Sequence, residues 1–178
     1  MWVLAIAAAG LLFFAVAVRI GGRDLQSPGQ LSRPSFLALF GAYSCLSVGP
    51  MLAAWQGVWP LPVPTTAAVV AGAICAVTGG AIHVISRVQF RSFRLAWGLA
   101  LDRLHTGGIY RFSRNPQVIG LSLFLGGVAL LGRSGAAMCL VLLFWLCSRV
   151  WIGLEERALV NHFGETYQRY QAAVPRFF

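Results

Sequence analysis

The chain has 178 residues, of which 58% are hydrophobic and only 11% charged, with a mean hydropathy of +0.73. A soluble globular domain carries about 25% charged residues, so this composition excludes that class and indicates an integral membrane protein. All 14 cations are arginine, against five acids, and the pI is near 10.7; in a membrane protein such charge belongs to lipid headgroups, and no nucleic-acid partner is expected.

The length suits one domain of four to six spans, each of roughly 20 residues. In the apolar run Met1 to Val18, Arg19 and Arg23 follow the hydrophobic block, the wrong order for a cleaved leader, so the run is expected to remain as a first span. A polar segment, Leu25 to Pro34, leads to a second span over Ser35 to Trp55, and a loop with Trp59 and three Pro to a third over Thr65 to Ser86. Gly72, Ala76 and Gly80 recur at four-residue spacing in the third span and predict a close neighbour helix. Cys45, Cys75, Cys139 and Cys147 lie in apolar runs without paired spacing, so neither a disulfide framework nor a metal site is expected. His83 reads as an interfacial or hydrogen-bonded histidine.

From Arg87 to Arg114 the chain is basic, and Phe90, Phe93, Trp97, Leu101 and Leu104 follow the spacing of an interfacial amphipathic helix, although the alternation from Leu95 to Leu101 suits an extended segment too. Two apolar runs, Pro116 to Leu131 and Gly135 to about Leu154, are separated by three residues and predict a tight helical hairpin. Its first arm covers only about 24 Å and must be tilted, partly buried or bent near Gly126-Gly127. A polar helix from Glu155 onward should lie along the membrane surface or cap the bundle, with an i,i+4 pair from Glu165 to Arg169. Among the arginines Arg133 alone falls opposite to the rest, which predicts five spans with the N-terminus outside and the C-terminus in the cytoplasm.

The stretch from Gly107 to Gly120 carries the candidate chemistry: a basic turn in which Asn115 suits an N-cap and Pro116 the first helical position. The hairpin returns Glu155-Glu156 beside Arg114-Asn115-Pro116. This gives a charged cluster with Arg111, Arg149 and Arg157 that either binds a ligand bearing an amine and a carboxylate or pairs internally and with lipid phosphates. Arg149, one turn before the end of the apolar run, either snorkels or meets a carboxylate. Tyr110, Tyr167 and Tyr170 suit either purine stacking or interfacial anchoring. No dinucleotide-binding, P-loop, HExxH or G-x-S-x-G signature is present, so any cofactor must bind among helices.

Gly107-Gly108-Ile109-Tyr110-Arg111-x-x-Arg114-Asn115-Pro116, the hairpin, Glu155-Glu156, Phe163-Gly164-Glu165-x-Tyr167-x-x-Tyr170 and Val174-Pro175-Arg176 resemble the isoprenylcysteine carboxyl methyltransferase family and its relatives, the membrane phospholipid methyltransferases. The resemblance covers residues 107–178, while 1–95 agree only in being hydrophobic spans. It implies an all-α membrane enzyme in two regions, three N-terminal spans over 1–95 and a cofactor-binding region over 96–178, that transfers a methyl group from S-adenosylmethionine to a lipid or lipophilic substrate reached from the bilayer. By resemblance Arg114, Asn115 and Pro116 with Glu155 and Glu156 form the cofactor pocket, Tyr110 or Tyr167 flanks adenine, and Arg114, Asn115 and Arg149 are the candidate catalytic residues. The family usually has His where this chain has Asn115, and an amide hydrogen-bonds but does not titrate. A sterol-reductase-like NADPH enzyme is the alternative within enzymes; a non-enzymatic membrane scaffold accounts for the hydropathy but not for the pattern.

Overall fold

The computed structural model describes residues 2–26, 30–89 and 104–177. Among these the helices are α1 Trp2–Gln26, α2 Arg33–Trp55, α3 Thr65–Val88, α4 Pro116–Leu131, α5 Gly135–Phe163 and α6 Glu165–Ala173, with a 3-10 turn at Gly108–Arg111. Helices α1, α2, α3 and α5 are long and apolar enough to cross a membrane, and α4 is a shorter apolar helix. The chain is an all-α integral membrane protein with about five membrane helices. The amphipathic segment expected from Phe90 falls almost wholly outside the described residues.

Elements start and stop where local chemistry dictates. Pro116 occupies the first turn of α4, where a missing N–H leaves nothing unsatisfied. Ser134 caps α5 by accepting from Ala137 N at 3.1 Å, and its hydroxyl donates to the Val58 carbonyl at 2.6 Å. Between α4 and α5, Arg133 takes a left-handed φ of 49° to close the tight turn. Its carbonyl accepts from Leu61 N at 2.7 Å and its guanidinium donates to Thr65 Oγ1 at 3.1 Å, stitching the turn to the α2–α3 loop. Near the other membrane boundary, the Asp24 carboxylate accepts from Ser32 N and from the hydroxyls of Ser32 and Ser35, tying the end of α1 to the start of α2.

Two apolar clusters fill the bundle. One joins α2, α4 and α5 around Leu46, Leu125 and Phe144, with Tyr43 edge-on to Phe144 at 5.5 Å between centroids. The other joins α1, α2 and α5 around Leu39 and Trp151. A Cβ at Gly21 of α1 would meet the Trp151 ring at 2.7 Å, so only glycine admits the indole there.

Helices α3 and α4 make the closest backbone approach, and its register differs from the expected one. A Cβ at Gly72 would lie 2.9 Å from the Gly127 carbonyl, one at Gly79 2.6 Å from the Gly120 carbonyl, and one at Gly127 would run into the Ala76 backbone. Gly80 touches only the Phe124 ring. The seam is therefore Gly72, Ala76, Gly79 and His83, which follows 3.6 residues per turn, and the fixed four-residue step drifts off it. Helix α4 runs unbroken through Gly126-Gly127, where Gly127 serves the approach to α3 and Gly126 faces open space. Helix α5 also runs further than expected: its 29 residues span about 44 Å against a hydrocarbon layer of about 30 Å. Glu155 and Glu156 thus stand on a rigid extension of a membrane helix, and the chain turns only at Gly164, where φ is 54°.

Candidate active site

The start of α4 and the C-terminal tail are bound together. Arg114 N donates to the Pro175 carbonyl at 3.0 Å; Asn115 Nδ2 and Ser113 Oγ donate to the Arg176 carbonyl at 3.1 and 3.3 Å. Asn115 stands at the N-cap position, but its side chain caps nothing, because the amide is committed to the tail. The first turn is closed instead by its carbonyl, which accepts from Val118 and Ile119 N.

This strap carries Arg176 onto Glu156. Arg176 Nε donates to Glu156 Oε2 at 3.0 Å, and Nη2 meets the same oxygen. On the other side Arg114 Nη1 lies 3.0 Å from Glu156 Oε1, an ion pair by distance that lacks hydrogen-bond alignment, so both atoms and Arg114 Nε have no hydrogen-bond partner. The Glu156 side chain is only 7% exposed and Arg114 11%, whereas Arg176 is 40% exposed. A carboxylate so buried requires compensating charge, and two arginines supply it. Beside this triad a cleft of about 400 Å³ opens, lined by Gly153, Glu156, Arg157, Asn161, Gln171 and Arg176.

Glu155 belongs elsewhere. Successive residues on a helix diverge by about 100°, so it faces away from Glu156 into a chamber of about 40 Å³. The chamber is walled by Tyr43 of α2, His83 and Arg87 of α3, Gln117 of α4 and Trp151 of α5. Arg87 and Glu155 attract each other there. His83 Nδ1 lies 2.9 Å from the Gln117 carbonyl, and the buried Trp151 indole N–H is paired with the Glu155 carboxylate.

The tyrosines are internal partners rather than free stacking surfaces. Tyr110 OH donates to Gln117 Oε1 at 2.9 Å and Tyr170 OH to the Tyr110 carbonyl at 2.6 Å. Burial raises the ionisation of Tyr110 well above the ordinary phenol range; for Tyr167, burial acts first and the Glu156 charge second. Tyr170 is pushed up to about 12 by burial, with the Arg114 charge opposing. Arg149 is exposed; its guanidinium stacks over Trp145 at 4.7 Å and near Phe177 at 5.8 Å. Among the described residues it makes no ion pair with either glutamate. Arg114, Asn115, Pro116, Glu156 and Tyr167 are thus brought together, Glu155 is turned into the second chamber, and Arg149 stays on the outer face. Sequence reasoning gave no role to Arg176, Ser113, Gln117 or Arg87. Only the Val174-Pro175-Arg176 motif carried a signal, since tail contacts are invisible to spacing.

A profile of the family described as phospholipid methyltransferase matches residues 67–166, more than half of the chain. Protein-S-isoprenylcysteine O-methyltransferase of Schizosaccharomyces pombe is 36% identical over 73 residues, which cover 40% of this chain and 31% of that protein. The matched stretch therefore spans less than a third of the relative. No solved structure matches.

Proposed function

The chain belongs to the phospholipid methyltransferase family, and we propose that it is an S-adenosylmethionine-dependent methyltransferase acting on a lipid or lipophilic substrate reached from the bilayer. The supporting observation is the buried Glu156 between Arg114 and Arg176 at the edge of a cleft of about 400 Å³, a volume within the range of small-molecule sites. The donor is zwitterionic at its amino-acid end, and this wall offers both signs of charge: Glu156 for the ammonium, Arg157 and Arg176 for the carboxylate. Bound there, the donor supplies a sulfonium methyl group.

The chain's part is binding, orientation and exclusion of water, which are what an in-line methyl displacement asks of a protein. Asn115 and Ser113 hold the tail, the tail holds Arg176, and Arg176 with Arg114 fixes Glu156. Tyr167 shields the triad. The chamber at Glu155 lies between the helices, and Arg149 with Trp145 anchors α5 at the membrane surface. The arginine-rich side is assigned to the cytoplasm by the positive-inside rule, and residues 96–178 are assigned as the cofactor-binding region.

Calorimetric titration of the purified protein with S-adenosylmethionine and, separately, with NADPH tests the reading. Expected is saturable binding of the first alone, weakened at least tenfold by Glu156→Gln. Binding of NADPH instead points to the reductase alternative, and binding of neither removes the enzyme reading.

A further inference from the structure

Glycine is the least favourable residue after proline inside a helix, so each helical glycine asks for a reason. Most of those in this bundle have a side chain or backbone within 4 Å of where a Cβ would lie; among the described helical residues only Gly126 and Gly153 have nothing there. Gly126 lines neither of the two cavities described above, whereas Gly153 lines the Glu156 cleft. The open space over Gly153 is therefore part of the site.

The position of Gly153 on α5 gives that space a direction. At 100° per residue, Leu142, Leu146, Arg149, Gly153 and Val160 fall within about 60° of one another. Leu142 and Leu146 are exposed on a helix apolar enough to cross a membrane, so they meet lipid. Gly153 and Val160 line the cleft, and Gly153 is its lining residue nearest the apolar end of α5. One stripe of the helix thus runs from hydrocarbon to cleft. Counted from Gly135, a hydrocarbon layer of about 30 Å ends roughly 20 residues on, within a turn of Gly153, at the depth where a lipid's chains meet its head. Arg149, one turn inward on the same stripe, is held to one side by the rings of Trp145 and Phe177.

We propose that Gly153 is the threshold by which a lipophilic methyl acceptor enters the cleft, with bulk at this position setting which acceptors pass; this rests on the methyltransferase reading above. The acceptor's hydrocarbon lies on Leu142 and Leu146, and its reacting head crosses the bare backbone at Gly153 to reach the donor beside Glu156. Donor and acceptor then share one cleft, as direct transfer requires.

Wild type, Gly153→Ala, Gly153→Leu and Gly126→Leu are reconstituted in nanodiscs of dioleoylphosphatidylcholine with methyl-labelled S-adenosylmethionine, and given dioleoylphosphatidylethanolamine or, separately, N-acetyl-S-farnesylcysteine. Each substitution replaces an uncrowded glycine by a better helix former, so Tm should be equal or higher. Expected for Gly153→Leu is a fall of at least about tenfold in kcat/KM, carried by KM, for whichever acceptor the wild type methylates, with Gly153→Ala in between. Calorimetric Kd for S-adenosylmethionine stays unchanged, and Gly126→Leu behaves as wild type throughout. Wild-type kcat/KM in Gly153→Leu overturns the proposal. So does an equal loss in Gly126→Leu, or a loss matched by a weaker cofactor Kd, which assigns Gly153 to the donor alone. If Gly153→Leu does not fold, Gly153→Ala decides: a raised acceptor KM at unchanged cofactor Kd supports the threshold, and an unchanged KM refutes it. A wild type that binds S-adenosylmethionine but methylates neither acceptor refutes entry from lipid, and one that does not bind it brings down the methyltransferase reading itself.

Discussion

Glu156 is held on both sides by arginines, and the two are unequal: Arg114 is nearly as buried as the carboxylate, whereas Arg176 reaches it from the surface. Removing the carboxylate strands two cations, one of them buried, so Glu156→Gln is expected to destabilise the protein by about 3 kcal/mol. Removing Arg176 leaves Arg114 in place, and Arg176→Ala should cost about 1 kcal/mol. Denaturation of the detergent-solubilised variants measures both, and equal losses would mean that Arg114 does not share the carboxylate. A second expectation concerns pH. The fold raises Tyr170 to about 12 from an ordinary value near 10, with burial the main cause. The fold therefore favours the neutral phenol. Its contribution is complete below about pH 10 and is lost as pH climbs through 12, because the unfolded chain ionises first. Melting temperature should be level in this respect up to about pH 10 and fall above it, less steeply in Tyr170→Phe. The adjacency of Glu155 and Glu156 was legible in the sequence as a motif, but the separation of their roles was not. It follows from the angular step of the helix together with cavities that only tertiary packing creates. Asn115 was legible as a helix boundary, yet the side chain's partner lies 61 residues away, beyond any local rule.

At the scale of elements, the hairpin was fully legible, since two apolar runs around Gly132-Arg133-Ser134 permit little else, and the observed arms begin at the expected residues. The seam between α3 and α4 was legible in kind but not in phase. Small residues marked the third span as a packing surface, and the true period of the helix then selects Gly79 over Gly80. That choice is measurable. A methyl group at Gly79 has carbonyl and amide atoms of α4 in its way, and backbone cannot swing aside like a side-chain tip. Gly79→Ala should destabilise by about 3 kcal/mol through overpacking, whereas Gly80→Ala has ordinary space beside Phe124 and should be neutral or stabilising by up to about 1 kcal/mol from helix propensity. Thermal unfolding in one detergent compares them directly, and equal effects would refute this register. The far end of α5 lies beyond the apolar run for a related reason: a loss of hydrophobicity at Glu155 ends the membrane span without ending the helix, which stops only where Gly164 adopts a left-handed φ.

The whole molecule is clamped at both ends of the hairpin, and the two clamps differ in what they hold. At one end Ser134 and Arg133 fasten the α4–α5 turn to the α2–α3 loop; no part of the candidate site is near this turn in sequence, and none of the residues lining either cavity belongs to it. At the other end the tail bridges the start of α4 to Glu156 on α5 through Pro175 and Arg176, and the same arginine lines the larger cleft. A change at the first clamp should therefore lower stability alone. Ser134→Ala removes a cap and a buried hydroxyl contact, worth about 1 to 2 kcal/mol, with no change in S-adenosylmethionine affinity. Ending the chain at Val174 removes the strap together with one wall of the cleft. Its stability loss should be comparable, about 2 kcal/mol from the tail's hydrogen bonds and the Arg176 pair, but cofactor affinity should also fall at least tenfold. Melting temperature and calorimetric Kd, measured on the same two variants, separate the clamps: affinity must drop in the truncation and hold in Ser134→Ala at similar destabilisation. A parallel drop in both would mean that binding follows global stability and that the tail has no direct part in the site.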